Sequence, residues 1–310
     1  MINISNITLN DIGGFTKTVY TENDLNILGW YPTNLNIFEY NNEYIAVFRS
    51  VNYIIDDTGV GRTTTGKNLY NKIFIGKFDI NKLELFDIKE IEIKELENSG
   101  LMGIEDPKII FRKNSLYIVC TLTKYESSHL CKMAICKLNN DLDQIEKITI
   151  LDSPNSFKPE KNWMFPNIEN NNFDFVYEFN TIVKNNKLVR DFHTSFFTSE
   201  LDYKLRGNGT LLNTEDGYIC IMHSSYGKFY NHFFCKLDIN GKFIGISDPF
   251  IFDSPGIEFA AGIFKYNDNY IISYGKNDRE CKVGIIPIKN VENLINKIEY
   301  NNLKDIAHVW

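Results

Sequence analysis

Lys108-Ile109-Ile110-Phe111, then Arg112-Lys113-Asn114-Ser115, then Leu116-Tyr117-Ile118-Val119-Cys120 is an apolar run, a polar turn and a second apolar run. That order is the mark of a two-stranded antiparallel hairpin. Four more stretches repeat it: Asn36-Ile37-Phe38 to Tyr44-Ile45-Ala46-Val47-Phe48-Arg49, Met164-Phe165 to Phe173–Glu178, Thr210-Leu211-Leu212 to Tyr218–His223, and Gly262-Ile263-Phe264 to Tyr270–Tyr274. The residue closing each turn falls at 44, 117, 173, 218 and 270, so the period drifts between 45 and 73 residues.

This spacing suits propeller blades with loop insertions. Further short apolar runs follow four of the hairpins, at 73–78, 133–138, 232–237 and 283–288, and read as third strands. A β-sandwich also has short strands and polar turns, but it does not account for similar hairpins recurring with similar outlets. The expected fold is therefore all-β: one five-bladed β-propeller domain over residues 1–310, with its repeats at roughly 30–288. Val291, Leu294, Ile295 and Ile298 keep helical spacing and predict a short C-terminal helical appendage.

Composition agrees with a strand-rich core, with 17 Tyr and 23 Phe against 5 Met among 310 residues. A net charge of −7 with no Lys/Arg-rich run argues against nucleic acid as a partner. No apolar stretch approaches the length of a membrane span, and the first residues lack a basic-then-apolar leader, so the expectation is a cytoplasmic chain without membrane insertion. The six cysteines form no Cys-x-x-Cys pair and read as buried free thiols; neither a metal nor a cofactor is expected. The abundant Asn reads as compositional.

In a propeller the residues flanking the inner strands converge, however distant in sequence. The repeat outlets supply Arg49, Glu105, Asp106, Lys108, Lys161, Asn162, Arg206, His223, Tyr230, Glu258, Tyr274 and Asp278. Basic side chains gathered in an otherwise acidic protein would form a local anion site for phosphate, a sugar phosphate or a nucleotide sugar. The Glu105-Asp106 pair and Glu258 are candidates for proton transfer, since two carboxylates in one site can hold different protonation states. Turn capping before Pro107 is the plainer reading of Asp106 alone. Trp163 reads as core before sugar platform, His129 as surface and His193 as core. The stretch from Asp56 to Arg62 reads as a mobile loop covering the cavity.

Gly103-Ile104-Glu105-Asp106-Pro107-Lys108, then Glu160-Lys161-Asn162-Trp163-Met164-Phe165-Pro166, a Gly-rich loop, a His-ending strand and a final Tyr274-Gly-x-x-Asp278 appear in that order. The order resembles the five-bladed propellers of glycoside hydrolase family 130, the β-mannoside phosphorylases and hydrolases, and of the related glycosyltransferase family 108. The resemblance spans roughly residues 30–288. It implies Asp106 as proton donor, with Glu105 beside it, and Lys161 and His223 as phosphate contacts; Arg49 and Lys108 match less closely. Lys108 stands where that motif usually has Arg, and Arg206-Gly207-Asn208-Gly209-Thr210 departs from the usual Gly-x-Gly loop followed by prolines. The implied activity is inverting glycosyl transfer on β-linked, mannose-type glycans with phosphate or a sugar phosphate. A nucleotide-sugar-dependent transferase stands beside it, and a glycoside hydrolase or a non-catalytic glycan-binding propeller stands further off.

Overall fold

The computed structural model describes residues 7–56, 61–66, 68–94, 101–124, 131–154, 160–169, 172–190 and 205–298. A strand β1 (Phe15–Tyr20) and a one-turn helix α1 (Glu22–Leu25) precede blade one. Blade one orders β2 (Tyr31–Tyr40), β3 (Glu43–Val51), β6 (Asn71–Asp79) and β7 (Glu84–Glu90), while β4 (Tyr53–Ile55) and β5 (Gly61–Thr63) form a small separate hairpin after β3. Blade two orders β8 (Leu101–Arg112), β9 (Ser115–Lys124), β10 (Lys132–Leu138) and β11 (Ile145–Ile150). Blade three holds β12 (Phe175–Glu178), β13 (Thr181–Lys184) and β14 (Lys187–Arg190), and its inner segment joins through the Met164–Val176 bridge.

Blade four contains β15 (Arg206–Gly207), β16 (Leu212–Thr214), β17 (Gly217–Tyr226), β18 (Phe229–Asp238) and β19 (Phe243–Ser247). Blade five orders β20 (Glu258–Tyr266), β21 (Asn269–Lys276) and β22 (Glu280–Pro287), and β1 returns to close it as the outermost strand, antiparallel to β22. The expected short C-terminal helix is present, but it begins and ends earlier than the 291–298 spacing implied. Helix α2 covers Ile288–Leu294, but β23 (Ile295–Lys297) is extended and pairs with the edge of β19. Its β-branched isoleucine at 295 and the free strand edge favour the ladder over another helical turn.

Alternation drives the assembly. Successive side chains of a strand face opposite ways, and here both faces are buried: Ile45 and Val47 of β3 join the core shared with blade two, while Ala46 and Phe48 join the core shared with blade five. The same division recurs at Ile109 and Ile110 of β8, and at Cys220 and Ile221 of β17. Five cores therefore alternate with five sheets, which a two-sheet sandwich cannot provide. All six cysteines are free, and five of them are buried in these layers.

Asparagine has a structural role that composition concealed. Among the described residues, 11 of the 17 non-glycine positions at positive φ are Asn, including the hairpin pairs Asn41-Asn42 and Asn185-Asn186. Asn tolerates this left-handed region better than most residues, and two-residue hairpin turns require it.

The inner strands meet closely. Asn36, 1% exposed, donates its amide to the Ala261 carbonyl at 2.8 Å and accepts the Ile109 amide at 2.8 Å, tying blades five, one and two together. Asn36→Ala should leave both backbone groups unsatisfied and destabilise the protein by about 1–3 kcal/mol for each one that water does not reach. Equilibrium denaturation in urea measures the loss; an unchanged midpoint would show that Asn36 does not tie the blades.

Candidate functional site

Three inner strands are bulged. The pairing shifts between Thr33 and Asn36 in β2, between Glu105 and Lys108 in β8, and between Ala260 and Gly262 in β20. Such a bulge re-aims the side chain it carries. Two of these bulges hold residues at positive φ, Asn34 at 53° and Asp106 at 50°, and Asn162 takes φ 67° on the inner segment of blade three. Pro107 disfavours a right-handed helical conformation for Asp106, and Asp accepts the left-handed one. The Glu105-Asp106-Pro107 sequence thus turns the Asp106 carboxylate out of the strand alternation.

That carboxylate meets blade one and, through Arg49, is linked to blade five. Its Oδ1 accepts a 2.6 Å hydrogen bond from Asn34 and lies 3.6 Å from Arg49 Nε. Arg49, on β3, also approaches Asp278 at 3.1 Å and Glu105 at 3.8 Å, so one guanidinium serves three carboxylates. Asp278 reaches it from the turn between β21 and β22, where Asn277 and Asp278 take φ of 53° and 52°.

The three acids respond differently. Burial raises Glu105 and Asp278 above the ordinary carboxylate values, with Arg49 opposing it in both. Burial would raise Asp106 too, yet Arg49, Lys108, the Asn34 hydrogen bond and Lys161 together hold it below its usual value. Asp106 is therefore the carboxylate kept ionised, and Glu105 and Asp278 are those that hold a proton more readily. Arg49 itself is driven well above the normal guanidinium value; burial opposes this, but Tyr53 and the three acids outweigh it.

Basic groups stand next to this cluster. Lys108 is 1% exposed; its Nζ lies 5.5 Å from the Phe259 ring centre and has no hydrogen-bond partner among the described residues. His223 stacks on Tyr230, ring centres 5.0 Å apart and planes 20° apart, and meets Phe259 edge-on. Burial, then His232, Arg206, Lys161 and Lys108, push His223 well below the ordinary histidine value, so its ring is neutral at pH 7. Burial pushes the Tyr230 phenol up to about 12, with Asp278 and Asp106 adding to the shift.

Arg49, Glu105, Asp106, Lys108, Lys161, Arg206, His223, Tyr230 and Asp278 thus act on one another within one site, and Asn162 sits buried on the adjoining inner segment. Glu258 and Tyr274 lie apart from it. The Glu258 carboxylate is fully buried and accepts the backbone amides of Phe252 at 2.7 Å, Asp253 at 3.0 Å and Ser254 at 3.3 Å, and the Lys276 ammonium at 2.7 Å. Tyr274 stacks on Phe252 at 4.3 Å in the core between blades four and five. Trp163 is core as well, stacked on Phe175 at 4.4 Å. Glu258→Gln should cost about 3 kcal/mol or more by stranding Lys276 and leave phosphate affinity unchanged. Paired denaturation and binding measurements decide it, and lost affinity in a folded variant would return Glu258 to the site.

The sequence did not single out Asn34 or Tyr53, whereas Asn208 stands beside Arg206 at a repeat outlet and is fully buried. Asn34 and Asn36 interrupt an apolar inner strand, and that interruption was the available signal. Tyr53 sits on β4, where burial raises its phenol and Arg49 opposes that rise. His129, His193 and the 57–60 part of the Asp56–Arg62 stretch lie outside the described residues. A hollow of about 1260 Å³ between the outer part of blade four and α2 contains none of the expected site residues. No described helix is long and apolar enough to cross a membrane.

No protein-family model and no curated protein matches the sequence. Solved structures do match. A β-1,2-mannobiose phosphorylase from Listeria innocua, in complex with β-1,2-mannobiose, aligns over 91% of this chain and 99% of its own at 14% identity and a TM-score of 0.64. MPT-4, a mannose phosphorylase from Leishmania mexicana in complex with phosphate ion, aligns over 87% and 88% at 12% identity and a TM-score of 0.52. The chain shares their five-bladed fold. A structure from the GH130 family of mannoside phosphorylases, from work on hydrolases that target β-1,2-mannosidic linkages in Candida mannan, aligns over 84% and 85% at 15% identity and a TM-score of 0.52.

Proposed function

We propose that the protein is a carbohydrate-active enzyme that transfers a β-linked, mannose-type glycosyl unit between a sugar acceptor and phosphate. The observation carrying this reading is the division of the site into two halves. Asn34, Arg49 and the three carboxylates offer several acceptors and fixed donors for sugar hydroxyls, whereas Lys108, Lys161, Arg206 and His223 supply positive charge and ring nitrogen for an anion. The mannobiose and phosphate bound by the two phosphorylases of like fold support pairing these ligands.

In the synthetic direction, Asp106 takes the proton of the acceptor hydroxyl while that oxygen attacks the anomeric carbon and the bond to phosphate breaks. The leaving phosphate keeps the bonding electron pair, and the basic half neutralises it. Phosphorolysis runs the same step backwards: a phosphate oxygen attacks the anomeric carbon, the glycosidic bond breaks, and protonated Asp106 gives its proton to the leaving sugar oxygen. A single direct displacement inverts the anomeric centre and needs no carboxylate nucleophile. The ionised state of Asp106 in the free protein is the one the synthetic direction requires.

The assay is phosphorolysis of β-1,2-mannobiose with inorganic phosphate, followed by detection of mannose 1-phosphate, with the reverse reaction alongside. Phosphate-dependent product supports the proposal. Release of free mannose without phosphate would make the protein a hydrolase, and transfer only from a nucleotide sugar would make it a nucleotide-sugar-dependent transferase. Sugar binding without turnover would make it a glycan-binding propeller.

A further inference from the structure

Two buried nitrogens stand against one aromatic ring. Lys108 Nζ and the His223 ring lie 5.5 Å and 5.8 Å from the Phe259 centroid, and among the described residues neither Lys108 Nζ nor His223 Nδ1 has a hydrogen-bond partner. Asn208, on the inner segment of blade four, is fully buried, and neither of its amide atoms has a partner among the described residues. A buried ammonium without a partner is costly. Lysine can escape that cost by releasing its proton, whereas arginine cannot.

We propose that Lys108 takes up a proton as a phosphate-type anion binds, so that anion recognition at this site is coupled to the charging of a buried amine. This rests on the reading of the basic half as an anion site.

The surroundings support the coupling. Burial pulls the Lys108 ammonium below the ordinary lysine value; Arg49 on β3 adds to that, while Asp106 on the same strand and Cys120 on β9 oppose it. His223 faces His232 on β18, Arg206 on β15, Lys161 on the inner segment of blade three and Lys108 on β8, and each disfavours a charged imidazole. The neighbours of His223 thus keep its ring uncharged, and the unpartnered Lys108 amine beside it is the group left to respond when an anion arrives. A tetrahedral dianion supplies that missing charge, and the amine is recharged by it. A lysine whose value falls in the folded protein gives an affinity that is full at lower pH and declines as pH rises through that value. Above it, affinity falls by about tenfold for each pH unit. An arginine at position 108 would bind the same anion without this dependence.

Calorimetric titration with inorganic phosphate and with sulfate, which does not titrate, between about pH 7 and about pH 9.5 tests this, because the series spans the range into which lysine can be displaced. Each titration is run in two buffers of different ionisation heat. Wild type should show proton uptake that rises with pH and a Kd that weakens in parallel, and Lys108→Arg should show neither. Side-chain NMR of isotope-labelled lysine needs no variant: at alkaline pH, sulfate should move the Lys108 signal to its charged position. Equal proton numbers in wild type and Lys108→Arg, or a Lys108 signal already at the charged position without anion, overturns the inference while leaving the anion site intact. Failure of phosphate, sulfate and mannose 1-phosphate to bind at any pH overturns the anion site itself and this inference with it.

Discussion

Asp106→Asn is expected to lower the rate of glycosyl transfer, in either direction, by about 100- to 10,000-fold, the range for losing a positioned proton-transfer group. Asn suits the position because it adopts φ near 50° readily and can still accept from Asn34, so fold and bulge survive. It keeps the shape of the carboxylate but can neither take nor give the proton. Steady-state kinetics with mannose 1-phosphate and a mannose acceptor, together with sugar binding by calorimetry, separate the two contributions. Retained binding with collapsed kcat supports the role given to Asp106. A variant within a few-fold of wild type would move the proton transfer to Glu105 or Asp278, the two carboxyls that burial already raises.

Arg49→Met should be the most destabilising single change in the site. Arg49 is 6% exposed and stands within 4 Å of three carboxylates, which methionine would leave buried without their shared cation. Breaking a buried ion pair in this way costs about 3–5 kcal/mol, and for a chain of this size that lowers Tm by on the order of 10 °C. The pH dependence has a definite sign. Unpaired carboxylates are harmful only when ionised, so the deficit of the variant should shrink as pH falls and Glu105, Asp106 and Asp278 take up protons. A deficit that stays constant with pH would show that the loss is one of packing alone.

The repeated hairpin was legible because strands buried on both faces are written as continuous apolar runs, and KIIFRKNSLYIVC reads the same way in any context. The outer strands were not. β7 and β11 carry Glu84, Asp87, Lys89, Glu90, Glu146 and Lys147 on exposed positions, so their alternation looks like loop. The residues that surround Arg49 were legible as outlets of the repeats, since strand ends on one face of a propeller must converge. Glu258 and Tyr274 obey the same positional rule yet belong to other cores, because a bulge between Ala260 and Gly262 and the amides of the 252–254 turn redirect that end of blade five. Backbone events of this kind are set by neighbours across the sheet, and a single chain read in order does not display them. Asn34 escaped for the same reason, having its meaning only once β2 lies beside β8.

The pairing of β1 with β22 also fixes when the protein can become functional during its synthesis. Phe15 finds its partner in Ile285, 270 residues later. At about 5–20 residues per second, the ribosome leaves that early strand waiting for on the order of tens of seconds. Its sequence, FTKTVY, has three consecutive polar residues at its centre, one of them a lysine, features that discourage pairing with a stranger meanwhile. Asp278 is made just ahead of the same β22, so the last carboxylate to reach Arg49 and the partner that the first strand awaits arrive together. A nascent chain with four finished blades therefore holds Asp106 and Lys108 but not the assembled site, and it stays silent until the ring has closed.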